Sequence, residues 1–325
     1  MSPRVAFVFP GQGSQRPGMG GSILDHRPDL LGTYYRRADS ELGFGLTELC
    51  LSGPVEALRE MATTQPAVLL TSVAALAVLQ EQGVVPDVVA GHSLGEYMAL
   101  VCAGSLNWVD ALRLVRLRGR LMAEANAMVP GRMAAVIGLP VVEVESLCGM
   151  VARETGRVIE VANHNDPRQV VVSGEVAAVA RFMELIEGAG AERAVVLRVG
   201  GSAHCSLLGN IEPEFTAALR QIEVRAPALP FVSSVSASVL TTATEVVDCL
   251  RAQLVQRVRW VEAVEVLSGL GVGSYIEVGP GKALAGMCGR IHPGAAVYRT
   301  DDWTQLGHAV EACARVRPAE EEAAI

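Results

Sequence analysis

The chain has 325 residues, of which 50% are hydrophobic and 19% charged, and it carries a formal net charge of −8. This composition is typical of a globular protein with a large core and excludes a disordered chain. The acidic charge balance gives no support to nucleic-acid binding. Seven scattered cysteines, none in a Cys-x-x-Cys pair, argue against a disulfide framework and a zinc site, so we expect no bound metal.

The apolar residues are arranged in short runs broken by Gly, Asp, Arg or His. No run approaches the roughly eighteen apolar residues of a membrane-spanning helix. The N-terminal run in MSPRVAFVFPGQGSQ is too short for a signal peptide, and we interpret it as a first strand. We predict a cytoplasmic protein that makes no membrane contact, with a monomer as the default expectation.

Strand and helix patterns alternate over the first 130 residues. Such alternation predicts an α/β core built on a largely parallel sheet. The predicted strands are 4–11 (RVAFVFPG) and 85–93 (VPDVVAGHS), and the predicted helices are 71–83 (TSVAALAVLQEQG), 95–104 (GEYMALVCAG) and 108–125 (WVDALRLVRLRGRLMAEA).

From residue 131 the pattern changes to strand, helix, strand, strand, helix, strand, which is the ferredoxin-like order. We predict an inserted ferredoxin-like α+β subdomain at 131–199, within a large α/β catalytic domain formed by 1–130 and 200–325. Strand and helix signals of the α/β kind return at 229–237 and 274–291. The tail at 317–325 (RPAEEEAAI) is predicted to be a solvated end.

The stretch GHSLG at 91–95 places Ser93 between two glycines, after a predicted strand and before a predicted helix. A nucleophile elbow has this context, because glycines allow the sharp turn and the helix N-terminus favours a developing negative charge. Ser93 is therefore a candidate nucleophile. The alternative is a serine that only caps the following helix in a glycine-rich loop.

A serine nucleophile needs a general base. Among the six histidines, His204 in VGGSAHCSLL follows a predicted strand and two glycines, whereas His26, His292 and His308 occur in surface-like contexts. A single histidine is more often structural or exposed than catalytic. On this pattern alone, His204 could therefore be the general base or an ordinary histidine.

Eight segments of the chain resemble, in order and with matching spacing, the malonyl-CoA:acyl-carrier-protein transacylase family, whose free-standing members serve fatty acid and polyketide synthases, including trans-acyltransferase systems. The segments are FVFPGQGSQRPGMG, GPVEALREMATTQPAVLLTSVAAL, GHSLGEYMALVCAG, DALRLVRLRGRLM, MAAVIGL, VANHNDPRQVVVSG, HCSLL and YIEVGPGKALAGM. Each segment is weak alone, but together they are specific. The resemblance implies an α/β-hydrolase-like fold for the large domain.

The resemblance implies that Ser93 and His204 act as a Ser-His dyad. Malonyl-CoA would acylate Ser93, and the phosphopantetheine thiol of a holo acyl carrier protein would then accept the acyl group. The CoA thioester is a substrate, and no cofactor is implied. The backbone N–H groups of Gln12 and Leu94 would form the oxyanion hole. A backbone carbonyl near Gln253 would orient the imidazole, although this glutamine could also be an ordinary helix residue.

Arg118, 25 residues after Ser93, matches the family's arginine that binds the free carboxylate of malonate. A planar guanidinium can form two hydrogen bonds with a carboxylate. His92 is implied as a second, weaker contact to that carboxylate. Without the resemblance, four arginines could equally form a solvated helix face: Arg113, Arg116, Arg118 and Arg120.

The chain departs from the family pattern at two places. Ala203 stands before His204, where free-standing relatives usually have serine and malonyl-selective domains of modular synthases have phenylalanine. The small side chain leaves space for a 2-substituted malonyl group, a change in volume that alters preference by about 1–3 kcal/mol. The sequence QRV replaces the usual Asn-Pro-Val before Trp260, so we expect the loop around Gln253 to differ.

Three alternative functions stay open on the sequence. One is a transferase of an unusual acyl or aminoacyl group, working between two carrier proteins. Another is an acyl hydrolase acting on acyl carrier proteins, which would gain nothing from Arg118. The third is a non-catalytic docking subunit, against which the intact Ser93, His204 and Gln12 argue.

Overall fold

A computed structural model describes residues 3–316, and the tail predicted to be a solvated end at 317–325 lies outside the described residues. The strands are β1 (Arg4–Phe9), β2 (Val88–Gly91), β3 (Gly131–Ile137), β4 (Ile159–Asp166), β5 (Gln169–Glu175), β6 (Arg193–Val196), β7 (Phe231–Val232), β8 (Val239–Leu240), β9 (Val258–Arg259), β10 (Val272–Glu277) and β11 (Ala296–Arg299). The α-helices are α1 (Gly21–His26), α2 (Arg36–Leu42), α3 (Leu46–Ser52), α4 (Val55–Arg59), α5 (Met61–Glu81), α6 (Gly95–Cys102), α7 (Trp108–Met128), α8 (Val141–Thr155), α9 (Val176–Ile186), α10 (Glu212–Leu219), α11 (Ala243–Ala252), α12 (Trp260–Gly269), α13 (Ala283–Ile291) and α14 (Trp303–Val316). A π-helical turn covers Leu31–Tyr35, and a 3₁₀ helix covers Ser206–Ile211.

The larger sheet has six strands in the order β11-β10-β1-β2-β7-β8. Its strands are parallel from β11 to β7, and β8 runs antiparallel to β7. Both faces of β1 are buried: Val5, Phe7 and Phe9 pack in a cluster that includes α5 and α7, while Ala6 and Val8 pack with α12 and α13. Helices on both faces of a parallel sheet are the architecture that the alternating pattern predicted, so the predicted fold class is confirmed.

The smaller sheet has the order β6-β3-β5-β4-β9. Its first four strands are antiparallel and come from residues 131–196, and α8 and α9 pack against them. Numbered along the chain, these strands lie in the order 4-1-3-2, which is the ferredoxin-like arrangement. The fifth strand, β9, comes from a later part of the chain and pairs with β4 in parallel. The small sheet thus continues into the larger part of the protein, and the predicted boundaries of the inserted subdomain stay a prediction.

Helix α5 begins ten residues before the predicted helix at 71–83 and contains Pro66. A proline inside a helix leaves the carbonyl four residues earlier without its usual N–H donor. Here that carbonyl belongs to Ala62, and Arg116 of α7 donates to it at 2.5 Å. The start of α5 therefore depends on a contact from another helix, which a local sequence pattern does not reveal.

Of the described helices, α5 is the one that is long and apolar enough to cross a membrane by length and composition. In the structure, 94% of its apolar stretch is buried inside the protein. It packs against α3, α4, α6 and α7. We therefore describe α5 as the central helix of the hydrophobic core.

Candidate active site

Ser93 lies at the sharp turn between β2 and α6, with a positive φ of 52°. A positive φ is rare for a residue with a side chain and stores backbone strain. The flanking glycines are required by space: a Cβ on Gly91 would lie 2.1 Å from the carbonyl carbon of Gly95, and one on Gly95 would lie 1.9 Å from the oxygen of Phe9. The turn therefore has the geometry of a nucleophile elbow, with the serine between the strand and the helix.

The hydroxyl of Ser93 lies against His204, with 2.6 Å between Oγ and Nε2. On the other side of the ring, Nδ1 lies 2.9 Å from the backbone oxygen of Gln253 and 3.1 Å from that of Gln256. Two carbonyl acceptors at Nδ1 fix the proton on that nitrogen, so Nε2 is left as an acceptor for the serine proton. The arrangement is a dyad in which backbone carbonyls take the place of the usual third side chain.

His204 is 4% exposed. Burial, followed by the positive charge of Arg118 and the nearby His92, lowers the pKa of His204 from 6.5 to about 3. The imidazole is consequently neutral at pH 7, which is the form that a general base requires.

The predicted oxyanion donors lie on either side of this dyad. β1 and β2 are parallel neighbours with Phe9 opposite Gly91, so the turn after β1 meets the elbow after β2 at the same edge of the sheet. The approach is close, because a Cβ on Gly11 would lie 2.6 Å from the oxygen of His92. Within residues 3–316, the backbone N–H groups of Gln12 and Leu94 donate no hydrogen bond, so both are available to an oxyanion.

Arg118 belongs to α7 and is 2% exposed, so it is not part of a solvated helix face. One Nη donates to Gln65 Oε1 at 2.8 Å and the other to Ser93 Oγ at 3.2 Å. The next residue, Gly119, allows α7 to pack closely against the start of α5, because a Cβ there would lie 2.3 Å from the oxygen of Met61.

The guanidinium has neutral hydrogen-bond partners, Gln65 and Ser93, and among the described residues it forms no ion pair with a carboxylate; its buried Nε has no hydrogen-bond partner. Burial lowers the pKa of Arg118, and the charges of Tyr97 and Glu96, which lie farther away, oppose this. A buried cation without a counter-ion is costly unless a ligand supplies one. Beside Ser93, such a cation can bind an acyl group that carries a carboxylate.

Six of the predicted residues line one cavity of about 120 Å³: Gln12, His92, Ser93, Arg118, Ala203 and His204. The rest of the wall is mostly apolar and includes Met61, Met122 and Met133. His92 is held by the side chain of Asn165, with 2.8 Å between Nε2 and Oδ1, and burial lowers its pKa.

The two other predicted residues, Leu94 and Gln253, do not line this cavity and meet the dyad in other ways. Leu94 presents its backbone to the elbow, and Gln253 presents its backbone carbonyl to the imidazole, as described above. The side chain of Gln253 points elsewhere and donates to Ser93 O at 2.9 Å and to Glu96. The roles assigned to all eight residues stay predictions.

Sequence reasoning missed three polar residues of the site. Gln65 orients Arg118, Asn165 holds His92, and Glu96 is bonded to Gln253. The first two come from α5 and from β4 of the small sheet, far from the elbow in sequence. Each of the three residues lies within one of the eight family-like segments, but no local sequence pattern indicates which residue it contacts.

The geometry first defines a class of enzyme. A serine on a strand–helix elbow, with a neutral histidine at its hydroxyl and two unused backbone N–H groups nearby, is the arrangement of enzymes that work through an acyl-serine. The acyl transferase domain family matches residues 6–288. The chain belongs to this family.

This chain is similar to curated relatives and to solved structures over most of its length. The chain is 42% identical over 289 residues to a malonyl CoA-acyl carrier protein transacylase of Salmonella typhimurium, covering 89% of this chain and 93% of that protein. The corresponding protein of Bacillus subtilis is 38% identical, with 89% and 90% covered. A malonyl-transacylase solved in complex with a type II polyketide synthase acyl carrier protein has a TM-score of 0.91 and 39% identity, covering 95% of this chain and 99% of that one. An acyl carrier protein S-malonyltransferase from Vibrio cholerae has a TM-score of 0.88 and 40% identity, with 94% and 99% covered.

Proposed function

We propose that this protein transfers a malonyl group from CoA to the phosphopantetheine thiol of an acyl carrier protein, through an ester on Ser93. The observation that carries the substrate class is Arg118, which is buried, forms no ion pair within residues 3–316, and lies 3.2 Å from Ser93 Oγ. Membership of the acyl transferase family and the names of the relatives support the reaction type and the carrier-protein partner.

In the first half-reaction, Ser93 Oγ attacks the thioester carbonyl of malonyl-CoA while His204 Nε2 takes the hydroxyl proton. The distance of 2.6 Å between the two atoms allows direct proton transfer. The tetrahedral intermediate collapses as the C–S bond breaks, and the imidazolium returns the proton to the CoA thiolate. The products are free CoA and malonyl-Ser93.

The second half-reaction runs the same steps with a different thiol. The phosphopantetheine thiol of the carrier protein gives its proton to His204 Nε2 and attacks the ester carbonyl. The C–O bond to Ser93 then breaks, and the serine oxygen takes the proton back. Malonyl-carrier protein leaves and the enzyme is regenerated, so no cofactor is required.

The oxyanion of each intermediate would be stabilised by the backbone N–H groups of Gln12 and Leu94. Their availability supports this role, because donors that need not leave another partner are already organised for the transition state. The position of Ser93 before the first turn of α6 adds the positive end of the helix dipole.

The carboxylate of the malonyl group would bind Arg118, and Gln65 keeps the guanidinium in place. This contact would orient the acyl group so that its reacting carbonyl faces Ser93 Oγ. A hydrolase or transferase of uncharged acyl chains would leave a buried cation without a partner, which makes those alternatives less favourable.

Ala203 and the apolar wall of the cavity bear on the size of the acyl group. Ala203 lines the cavity, and no side-chain hydroxyl is present at this position to occupy the space. A 2-substituted malonyl group is therefore the second candidate substrate, since it keeps the carboxylate for Arg118 and its substituent would enter a cavity lined by Ala203 and by three methionines, Met61, Met122 and Met133.

The test is a panel of acyl-CoAs incubated with the enzyme and a holo acyl carrier protein: malonyl, methylmalonyl, acetyl and an aminoacyl thioester. The products, acyl-carrier protein and free acid, are separated by intact mass. We expect rapid malonyl transfer and little acetyl transfer. Release of free acid without acyl-carrier protein would contradict the proposal in favour of the hydrolase, and preferred transfer of the aminoacyl group would replace malonyl as the substrate.

Three further expectations rest on the sequence. We propose cytoplasmic residence, a monomeric state and a division into a large domain with an inserted subdomain at 131–199. The fourth antiparallel strand of the small sheet ends at Val196, close to the proposed boundary, which supports that division.

A further inference from the structure

Glu96 is a buried acid that the proposed reaction does not use. It lies in the first turn of α6, three residues after Ser93, and is 0% exposed. Its backbone N–H donates to the oxygen of Ser93 at 2.9 Å. A buried carboxylate that neither binds substrate nor pairs with a cation needs a reason to be retained.

Both oxygens of the Glu96 carboxylate are used as acceptors. Oε1 accepts from the backbone N–H of Ser234 at 2.6 Å and from its hydroxyl at 3.1 Å. Oε2 accepts from Nε2 of Gln253 and, at 3.7 Å, from the thiol of Cys249. Burial raises the pKa of Glu96, and the hydrogen bonds from Ser234 and Gln253 oppose the rise. The carboxylate thus connects α6 to two segments from later in the chain.

Gln253 is the connection that reaches the dyad. One N–H of its side-chain amide is directed to Glu96 and the other to the backbone oxygen of Ser93, 2.9 Å away. Among the described residues its Oε1 has no hydrogen-bond partner, so the two acceptors alone determine how the amide is turned. The backbone oxygen of the same residue lies 2.9 Å from Nδ1 of His204.

We infer that Glu96 is a positioning residue: by anchoring the amide of Gln253, it fixes the main-chain carbonyl that holds the imidazole of His204 towards the nucleophile. The inference rests on the proposed function only for its kinetic test. Because Glu96 and the nucleophile belong to the same turn of chain, the contact links the elbow directly to the segment that orients the base. Through Glu96 and Gln253, the position of the imidazole is fixed relative to the position of the serine.

The substitution Glu96→Gln tests this link. The backbone N–H of Ser234 requires an oxygen at the position of Oε1, so the new side-chain N–H₂ would take the position of Oε2 and face the N–H₂ of Gln253, a contact between two donors. If the amide of Gln253 turned over to avoid it, its Oε1 would face the backbone oxygen of Ser93, a contact between two acceptors. We expect the rate of Ser93 malonylation to fall by about 10²-fold. KM for malonyl-CoA should change much less, because Arg118 keeps its hydrogen bond to Gln65 and loses only the more distant charge of Glu96.

The matched control is Glu277→Gln. Glu277 is also 0% exposed and accepts from a backbone N–H, that of Ala285 at 2.8 Å, but it does not contact the dyad. We expect wild-type rates for this variant.

A second readout does not depend on substrate. In protein with ¹⁵N-labelled histidine, NMR reports which ring nitrogen carries the proton, and the signal of His204 is assigned with His204→Gln. We expect one neutral tautomer protonated at Nδ1 in the wild type and in Glu277→Gln, and a mixed or broadened signal in Glu96→Gln. If Glu96→Gln does not fold, Gln253→Ala removes the same amide and is expected to disturb the signal in the same way.

Malonylation at the control rate together with an unchanged imidazole signal would overturn the inference. For Gln253→Ala, an unchanged signal would do the same. If the wild type itself forms no malonyl-Ser93, the proposed function fails, but the imidazole signal still decides the role of Glu96. The two failures are therefore distinguishable.

Discussion

Replacing Arg118 by alanine separates carboxylate recognition from the chemistry of the dyad. The guanidinium is 2% exposed, and Nη2 lies 3.2 Å from Ser93 Oγ, so a malonyl group on that oxygen brings its carboxylate close to the positive charge. Two unit charges about 4 Å apart attract by about 4 kcal/mol at an effective dielectric constant of about 20. Since about 1.4 kcal/mol is a factor of ten, we expect Arg118→Ala to lower kcat/KM for malonyl-CoA by roughly 10³-fold.

Acetyl-CoA has no carboxylate and lacks this interaction. Its slow transfer should change far less in Arg118→Ala, and the assay is the initial rate of acyl-carrier protein formation with each CoA ester. Arg113→Ala on the same helix is the matched control, because Arg113 is exposed and forms an ion pair with Glu41. An equal loss for malonyl and acetyl transfer would refute the assignment of Arg118 to the carboxylate, because it would mean that the substitution damaged the dyad itself.

Three other predictions concern the base, the elbow and the small sheet. The folded-state pKa of His204 lies below the ordinary 6.5, so the rate of Ser93 acylation, measured by rapid quench as the pH is lowered, should fall to half its maximum well below pH 6.5. The unfolded chain binds a proton at this histidine near pH 6.5 and the folded chain only near pH 3, so the free energy of unfolding should decline between those two pH values. A midpoint near pH 6.5 for both the acylation rate and the free energy of unfolding would contradict the burial argument. Gly95→Ala places a Cβ 1.9 Å from the oxygen of Phe9 and should lower the free energy of unfolding in urea by at least about 1–3 kcal/mol. The control Gly307→Ala, which has no atom within 4 Å of its Cβ, should not lower it. Equal stabilities of the two variants would show that the elbow tolerates a side chain. Asp166→Asn removes the carboxylate that accepts a hydrogen bond from Arg290 at 2.7 Å and should lower the free energy of unfolding by about 1 kcal/mol, less than for a fully buried pair because the arginine is exposed. An unchanged urea midpoint would show that this contact between β4 and α13 contributes nothing to stability.

The sequence predicted the parts of the fold that follow from local pattern. The strand and helix on each side of Ser93 were predicted because glycine spacing and apolar runs are local signals, and the ferredoxin-like order could be predicted from the sequence of elements alone. The start of α5 could not be predicted, since the carbonyl freed by Pro66 is satisfied by Arg116 from another helix. The pairing of β9 with β4 is likewise a contact between distant segments, and β9 itself has only two residues.

The same division applies to the candidate site. Ser93 has a local signature, whereas only the family resemblance separated Arg118 from three similar arginines on the same helix. The structure places Arg118 in the core, beside the serine. Gln253 was predicted to act near the base, and the structure adds that its side chain and its backbone reach different groups. Glu96 had no signal as a site residue, because its partners lie far away in sequence.

The most direct test of the central claim is the covalent state of Ser93 during one turnover. The wild-type enzyme is mixed with malonyl-CoA and quenched, the modified peptide is identified by mass spectrometry, and holo acyl carrier protein is then added to a second sample of the acylated enzyme. We predict one malonyl group on the peptide that contains Ser93, its complete loss when carrier protein is added, and an equal gain of malonyl-carrier protein. A malonyl group on another residue, an adduct that persists in Ser93→Ala, or loss of the group to water without transfer would contradict the claim.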